Sequence, residues 1–257
     1  MSRSPIRWLA ALGLLVLPAA VCCAQKQNDT VKAPTRGAHY QQHEFTAQDD
    51  SKLDYWLMKP AQIDEGKSYP LVLTLHGRGG NTEAATVLAS DEMRQKYPCF
   101  VLAPAVSRRE VWAVPSDFRK LPGRQRVAAA LELVDKLLKE QPIDPARVYV
   151  TGQSMGGFGS FGAIAQSPET FAAAMPVCGG WTADDVEKMK GVALWIFHGD
   201  ADGTVPVDRS RSMVEAVKAA GGNVKYTEYP GVGHNSWSKT YASPETWQWL
   251  FEQRKAN

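Results

Sequence analysis

Apolar runs alternate with amphipathic segments along most of this chain. Residues 69–75 form a continuous apolar run, which is typical of a strand buried on both faces of a sheet. Residues 125–140 instead place their apolar side chains on one face of a predicted helix. Further strands are predicted at residues 100–103, 148–151, 171–177, 192–197 and 224–229. Further helices are predicted at residues 158–166, 184–190, 209–220 and 247–254.

Strands that alternate with helices indicate an α/β fold with right-handed crossovers and a mostly parallel sheet. The carboxyl ends of parallel strands meet at one edge of the sheet, where functional loops gather. We therefore expect a site built from residues 77–81, Ser154, residues 200–206 and residues 231–237.

The first two dozen residues have a different pattern. Arg3 and Arg7 precede an apolar run over residues 8–21, and small residues follow, so residues 1–24 predict a secretory signal peptide that is cleaved after Ala24. An uncleaved membrane anchor and a lipoprotein signal are the alternatives. The expected location of the mature protein is secreted or periplasmic, without stable membrane association.

The rest of the chain predicts a flexible arm and one domain. Residues 25–44 are polar and are interpreted as the arm, and residues 45–257 as the α/β domain. The domain opens with residues 45–59, where apolar and polar positions alternate around the turn residues 49–51, so we predict a hairpin.

Composition narrows the classes of function. The chain has 257 residues, of which 44% are hydrophobic, and a formal net charge of +2 with dispersed basic residues, so a nucleic-acid partner is not expected. We find no phosphate-binding glycine loop, and nothing in the sequence requires a metal or an organic cofactor. After signal cleavage Cys99 and Cys178 remain, at opposite ends of predicted strands, so both are predicted to be free, buried thiols.

A candidate catalytic motif follows the predicted strand at residues 148–151. It reads Gly152-Gln153-Ser154-Met155-Gly156, a serine between glycines where a strand passes into a helix. This spacing is typical of a nucleophile elbow, whose sharp turn leaves no room for side chains at the glycines. A serine hydroxyl needs a base within hydrogen-bond reach and a third group to orient that base.

The base must follow the serine in this architecture, which leaves His198 and His234. We choose His234 because it lies in a glycine-containing loop after the last strand and can reach back to the elbow. Asp208 is predicted to be the N-cap of the next helix. The spacing alone leaves Asp200 and Asp202 as alternatives for the acid.

Three motifs give a more specific resemblance. His198-Gly199-Asp200-Ala201-Asp202-Gly203-Thr204-Val205-Pro206 resembles the HGxxDxxVP signature of α/β-hydrolases of the dienelactone hydrolase, acyl-protein thioesterase and prolyl-oligopeptidase-like groups. The sequence LHGRGGN is similar to their oxyanion loop, and GHNSWSKTYASPETWQWL resembles the carboxyl-terminal end of polyhydroxybutyrate-depolymerase-like esterases. The resemblance implies a three-layer α/β-hydrolase fold. No large lid domain is expected, because only residues 182–191 separate the predicted strand that ends at Cys178 from the next one.

The resemblance also implies the role of each residue. Ser154 would attack an acyl carbonyl, His234 would take and return the proton, and Asp202 would be the acid that orients His234. The backbone N–H groups of Arg78 and Met155 would hold the oxyanion.

Three tryptophans are predicted to bind substrate, because each lies in a loop at the expected edge of the site. They are Trp112, Trp181 and Trp237. Aromatic platforms and export together favour a serine esterase acting on small-molecule or polysaccharide esters, such as feruloyl or acetyl esters. The alternatives are a serine peptidase of prolyl-oligopeptidase type, a thioesterase or lysophospholipase-type carboxylesterase, and a binding protein without activity.

Overall fold

A mixed sheet of eight strands forms the centre of the protein. The computed structural model describes residues 1, 39–80, 82–115 and 123–255, so residues 2–24 of the predicted signal peptide and residues 25–38 of the arm lie outside the described residues. The strands are β1 (Tyr40–Thr46), β2 (Lys52–Met58), β3 (Tyr69–Leu75), β4 (Phe100–Pro104), β5 (Glu110–Val111), β6 (Arg124–Gln125), β7 (Ile143–Gln153), β8 (Ala173–Val177), β9 (Ala193–Gly199) and β10 (Val224–Tyr229).

The strand order in the large sheet is β1-β2-β4-β3-β7-β8-β9-β10, and β5 pairs with β6 separately. Strand β2 is antiparallel to both β1 and β4, and the remaining neighbours are parallel. The predicted, mostly parallel sheet is confirmed.

Helices cover both faces of this sheet. They are α1 (Glu83–Leu88), α2 (Asp91–Lys96), α3 (Val127–Glu140), α4 (Met155–Gln166), α5 (Val186–Met189), α6 (Asp208–Ala219), α7 (Ser236–Ala242) and α8 (Pro244–Glu252). Apolar side chains of α3 to α6 pack with Leu71 and Leu73 on one face, whereas those of α1, α7 and α8 pack with Val72 on the other. Successive residues of a strand point to opposite faces, so β3 contributes to both cores. The three-layer architecture is confirmed.

The amino-terminal hairpin begins earlier than predicted. Strand β1 starts at Tyr40, so residues 40–44 belong to the sheet and not to the predicted flexible arm. The Tyr40 hydroxyl donates a hydrogen bond to the carbonyl of Ala85 at 2.8 Å. Most other side chains of β1 are exposed, because this strand is at the edge of the sheet and is held by its main-chain pairing with β2. A polar edge strand of this kind lacks the apolar alternation that the prediction required.

The long segment after β4 is fixed to this hairpin by a buried cation. Arg126 is 2% exposed, lies 3.3 Å from the carboxylate of Glu110 and donates a hydrogen bond to the carbonyl of Lys52 at 2.7 Å. Only residues 178–192 lie between β8 and β9, which leaves no room for a large lid at this position. Among residues 39–80, 82–115 and 123–255, no helix has the length and apolar content needed to cross a membrane.

Candidate active site

The turn from β7 into α4 holds Ser154 in a strained conformation. Its φ is 55° and its ψ is −117°, in the region that non-glycine residues rarely adopt. The strain is maintained by close packing, because a Cβ on Gly152 would lie 2.5 Å from the carbonyl oxygen of Leu75, and one on Gly156 would lie 1.9 Å from it. The predicted need for glycine at both positions is confirmed.

A Gly156→Ala substitution is therefore expected to disrupt the elbow. The new methyl group would meet backbone, which cannot rotate away as a side chain can, so we expect a loss of at least about 3 kcal/mol in the free energy of unfolding. The midpoint of urea denaturation measures this. Gly191→Ala is the matched control, because a Cβ there has nothing within 4 Å. Equal midpoints for the two variants would contradict the packing argument.

The structure brings Ser154, His234 and Asp202 into one hydrogen-bonded relay. Nε2 of His234 lies 2.9 Å from Oγ of Ser154, and Nδ1 of His234 lies 2.7 Å from Oδ2 of Asp202. The Asp202 side chain is 0% exposed and that of His234 is 22% exposed. The serine is also partly exposed. The relay thus runs from a buried acid to a nucleophile that an external carbonyl group can reach.

Asp202 is held as a carboxylate by hydrogen-bond donors at both oxygens. Oδ1 accepts from the backbone N–H groups of Thr204 and Val205 at 2.8 and 2.9 Å. Burial acts to raise the pKa of Asp202, but the hydrogen bonds from His234, Val205 and Thr204 outweigh it and leave the pKa below its ordinary value. An ionised carboxylate in this position favours a proton on Nδ1 of His234, so Nε2 is free to accept the serine proton.

Asp200, the alternative acid, has a different role. Its Oδ1 accepts from the backbone N–H of Gly231 at 2.7 Å, and the N–H of Ala201 donates to the carbonyl of Val232 at 3.1 Å. These bonds join the acid loop to the loop that carries His234. The predicted N-cap at Asp208 is wrong, because Val207 lies at the N-cap of α6 while Asp208 is its first residue and pairs with Arg211 at 2.9 Å.

The two predicted oxyanion donors belong to backbone segments next to Ser154. Met155 is the first residue of α4, where a helix has unsatisfied backbone N–H groups. Arg78 lies in the turn after β3, and the ideal Cβ position of Gly77 is 3.7 Å from Cβ of Ser154. The structure therefore places both backbone segments beside Ser154, and their role as oxyanion donors stays a prediction.

His76 organises this turn, and sequence reasoning missed it. Its Nε2 accepts from the N–H of Val106 at 3.0 Å, so the proton lies on Nδ1, which donates to the carbonyl of Gly77 at 2.7 Å. The N–H of Gly80 donates to the same carbonyl. In a trans peptide the following N–H points the opposite way, so the N–H of Arg78 points away from both donors. Burial lowers the pKa of His76 and keeps its ring neutral.

The three tryptophans have different surroundings. Trp112 is 0% exposed and its Nε1–H donates to the carbonyl of His76, so its predicted role in substrate binding is wrong and the ring instead supports the turn after β3. Trp181 is also buried and donates to Asp185, so it offers no open platform. Trp237 is partly exposed and meets the His234 ring edge-on at 5.3 Å. The role of Trp237 in substrate binding stays a prediction.

Cys99 and Cys178 are free and buried, as predicted. Burial raises the pKa of Cys99 to about 12 and that of Cys178 well above its ordinary value, so neither is a thiolate near neutral pH. The sulfur of Cys178 and ligand atoms of Asp202 and His234 lie within 4.8 Å of one another. A metal held by these atoms would have to break the hydrogen bond between Asp202 and His234, so the arrangement does not fit a metal centre.

The fold and the relay together define an α/β-hydrolase. A serine at an elbow after a central strand, an acid after β9 and a histidine after β10 occur in the chain order that this class uses. The family model of the dienelactone hydrolase family matches residues 57–246, and the chain belongs to that family.

Similar proteins include esterases and peptidases. A solved structure described as a thermostable esterase has a TM-score of 0.79 and 36% identity, over 84% of this chain and 64% of its own. "Uncharacterized peptidase YuxL" of Bacillus subtilis is 26% identical over 75% of this chain, but the match spans 35% of that relative's length. "Probable feruloyl esterase C" of Aspergillus niger is 23% identical over 73% of this chain and 69% of its own length.

Proposed function

We propose that this chain is an exported serine esterase that forms an acyl-enzyme on Ser154. The observation that carries the proposal is the continuous relay from the buried carboxylate of Asp202 through His234 to a partly exposed hydroxyl. His234 takes the proton of Ser154 as Oγ attacks the ester carbonyl, and it then gives that proton to the leaving alcohol. Water repeats the sequence on the acyl-enzyme and releases the acid.

The negative charge that develops on the carbonyl oxygen in the transition state is stabilised by hydrogen-bond donors that are already in position. We assign this role to the backbone N–H of Met155 at the start of α4 and to the N–H of Arg78, whose peptide is oriented by the hydrogen bonds at Gly77. Losing one such donor costs about 3 to 4 kcal/mol of transition-state stabilisation in a well-studied serine hydrolase. The pairing of a helix start with a separate turn gives both donors a rigid support.

For the substrate we propose feruloyl or acetyl esters of polysaccharide. The partly exposed ring of Trp237 lies beside His234 and offers an aromatic surface next to the reacting groups. The similarity to the relative named for feruloyl esters and the predicted signal peptide at residues 1–24 support this substrate class. The second candidate is a serine peptidase, which the similarity to the Bacillus subtilis relative favours.

A substrate panel distinguishes the two candidates. The purified protein is assayed with p-nitrophenyl acetate, methyl ferulate, acetylated xylan and an aminoacyl-proline anilide, each alongside the Ser154→Ala variant as a blank. We expect the esters to be hydrolysed with a kcat/KM at least about 100-fold above that for the anilide. A higher kcat/KM for the anilide would support the peptidase and exclude the esterase proposal.

A further inference from the structure

A second histidine lies directly behind the relay. His198, on β9, is 0% exposed, and its Nε2 lies 3.0 Å from the carbonyl oxygen of Val205 and 3.2 Å from Oδ2 of Asp202. A carbonyl oxygen can only accept, so Nε2 carries the proton. Burial lowers the pKa of His198 and keeps the ring neutral, so Nδ1 accepts the hydroxyl hydrogen of Ser210 at 2.7 Å, which is closer to it than the carbonyl oxygen of Gly179 at 3.3 Å. The orientation and the tautomer of the ring are therefore fixed from both sides.

The two oxygens of Asp202 have different tasks. Oδ1 is anchored by two backbone N–H groups, whereas Oδ2 faces both imidazoles, that of His234 at 2.7 Å and that of His198 at 3.2 Å. A donor that bonds to a carboxylate stabilises its negative charge and makes the oxygen a weaker acceptor toward its other partners. His198 therefore competes with His234 for the oxygen that would stabilise a protonated His234.

We propose that His198 is a positioning residue whose Nε2–H shares Oδ2 of Asp202 with His234 and limits how strongly that carboxylate stabilises protonated His234. Removing the Nε2–H of His198 is then expected to strengthen the contact between Asp202 and His234 and to move the loss of activity on acidification to higher pH. This inference rests on the proposed function, because it takes His234 to be the base that serves Ser154.

Other titratable or charged groups next to His198 and Asp202 do not replace this effect. These groups are Cys178 after β8, Glu228 on β10, and Arg209 and Arg211 on α6. Burial keeps Cys178 protonated, and Glu228 is paired with Arg211 through two hydrogen bonds of 2.6 and 2.9 Å. Arg209 packs along Gly180. Burial also lowers the pKa of His198 itself, so its ring donates to Asp202 as a neutral group.

Two substitutions at one position separate the hydrogen bond from the packing of the ring. In His198→Gln the side-chain amide reaches the position of Nε2 and still donates to Asp202, whereas in His198→Asn it reaches only the position of Nδ1. The measurement is the pH dependence of the rate at which a fluorophosphonate labels Ser154, together with kcat/KM for p-nitrophenyl acetate. The acid limb of each profile is the range in which the rate falls as the pH is lowered. We expect the pH at half-maximal rate on this limb to rise by about 0.5 to 1 unit in His198→Asn and to stay within about 0.2 unit of the wild-type value in His198→Gln.

Ser210→Ala is the matched control for stability. It removes the hydrogen bond at Nδ1 of His198 but leaves the Nε2–H between the Val205 carbonyl and Asp202, so it is expected to lower the melting temperature without changing the pH dependence. Equal midpoints in wild type and His198→Asn, equal shifts in both His198 variants, or a downward shift in His198→Asn would overturn the inference. If wild type is labelled but hydrolyses no ester, the proposed function fails while the labelling profiles still decide the role of His198.

A measurement on the unaltered protein keeps the inference testable if His198→Asn does not fold. Nitrogen-15 NMR of the imidazole rings distinguishes the two neutral tautomers and the cation. We expect His198 to remain the neutral Nε2–H form across the whole acid limb. A cation, or a proton on Nδ1, would overturn the inference.

Discussion

Replacing Ser154 with alanine is expected to lower kcat for p-nitrophenyl acetate by about 10⁶-fold. The substitution removes the one atom that His234 Nε2 contacts at 2.9 Å and leaves the strained turn held by the glycines around it. The nearby thiol of Cys178 cannot take over, because it is buried and its pKa is raised. Initial rates, corrected for spontaneous hydrolysis, measure the loss.

Two observations accompany this result if the assignment is right. Mass spectrometry shows one fluorophosphonate adduct per wild-type chain and none on Ser154→Ala. Thermal denaturation gives the two proteins similar melting temperatures, because Oγ is partly exposed and its described partner is His234. A variant that keeps its fold and more than about 1% of the wild-type kcat would exclude Ser154 as the nucleophile.

Asp202→Asn is expected to lower kcat by about 10⁴-fold with little change in the fold. The backbone N–H groups of Thr204 and Val205 require an acceptor at Oδ1, so they would direct the amide oxygen of asparagine toward themselves. The amide NH₂ would then occupy the place of Oδ2 and donate to Nδ1 of His234, while the Nε2–H of His198 would keep the carbonyl of Val205 as its acceptor. His234 would carry its proton on Nε2 and could no longer accept one from Ser154.

Asp200→Asn is the matched control for this substitution. The amide oxygen can still accept the hydrogen bond from Gly231, so kcat is expected to fall less than about 10-fold. The comparison uses kcat values under the same conditions and far-ultraviolet circular dichroism to confirm folding. Similar losses in the two variants, or a larger loss in Asp200→Asn, would show that Asp202 is not the acid.

Much of the fold follows from local apolar patterns. Strands β3 and β10 were predicted with the bounds that the structure has, because buried or half-buried strands carry runs that few other elements tolerate. Helices α1 and α2 were missed, since six residues hold less than two turns and give little periodicity.

The elbow could be predicted because its serine and glycines have a fixed spacing. The relay could be predicted because the acid and the histidine must follow the serine along the chain. The choice between Asp200 and Asp202 was different, since both lie on one short loop and only three-dimensional contacts separate them. The prediction that Trp112 binds substrate was wrong for a related reason. A tryptophan in an irregular segment has no periodicity to show which side is buried, and its hydrogen bond to His76 joins residues that are distant in sequence.

The catalytic residues lie on two separate structural units. Asp202 and His234 lie on the joined loops after β9 and β10, and Ser154 lies at the junction of β7 and α4. The acid and base loops are tied by the bonds of Asp200 and Ala201, and the carbonyl oxygen of Val232 lies so near Gly199 that a Cβ there would be 2.1 Å away. Ser154 instead belongs to the stiff junction of β7 and α4. Thermal motion is therefore expected to carry His234 and Asp202 together. The contact most sensitive to temperature is then expected to be the one between His234 and Ser154, and loss of its alignment is expected to lower turnover on heating.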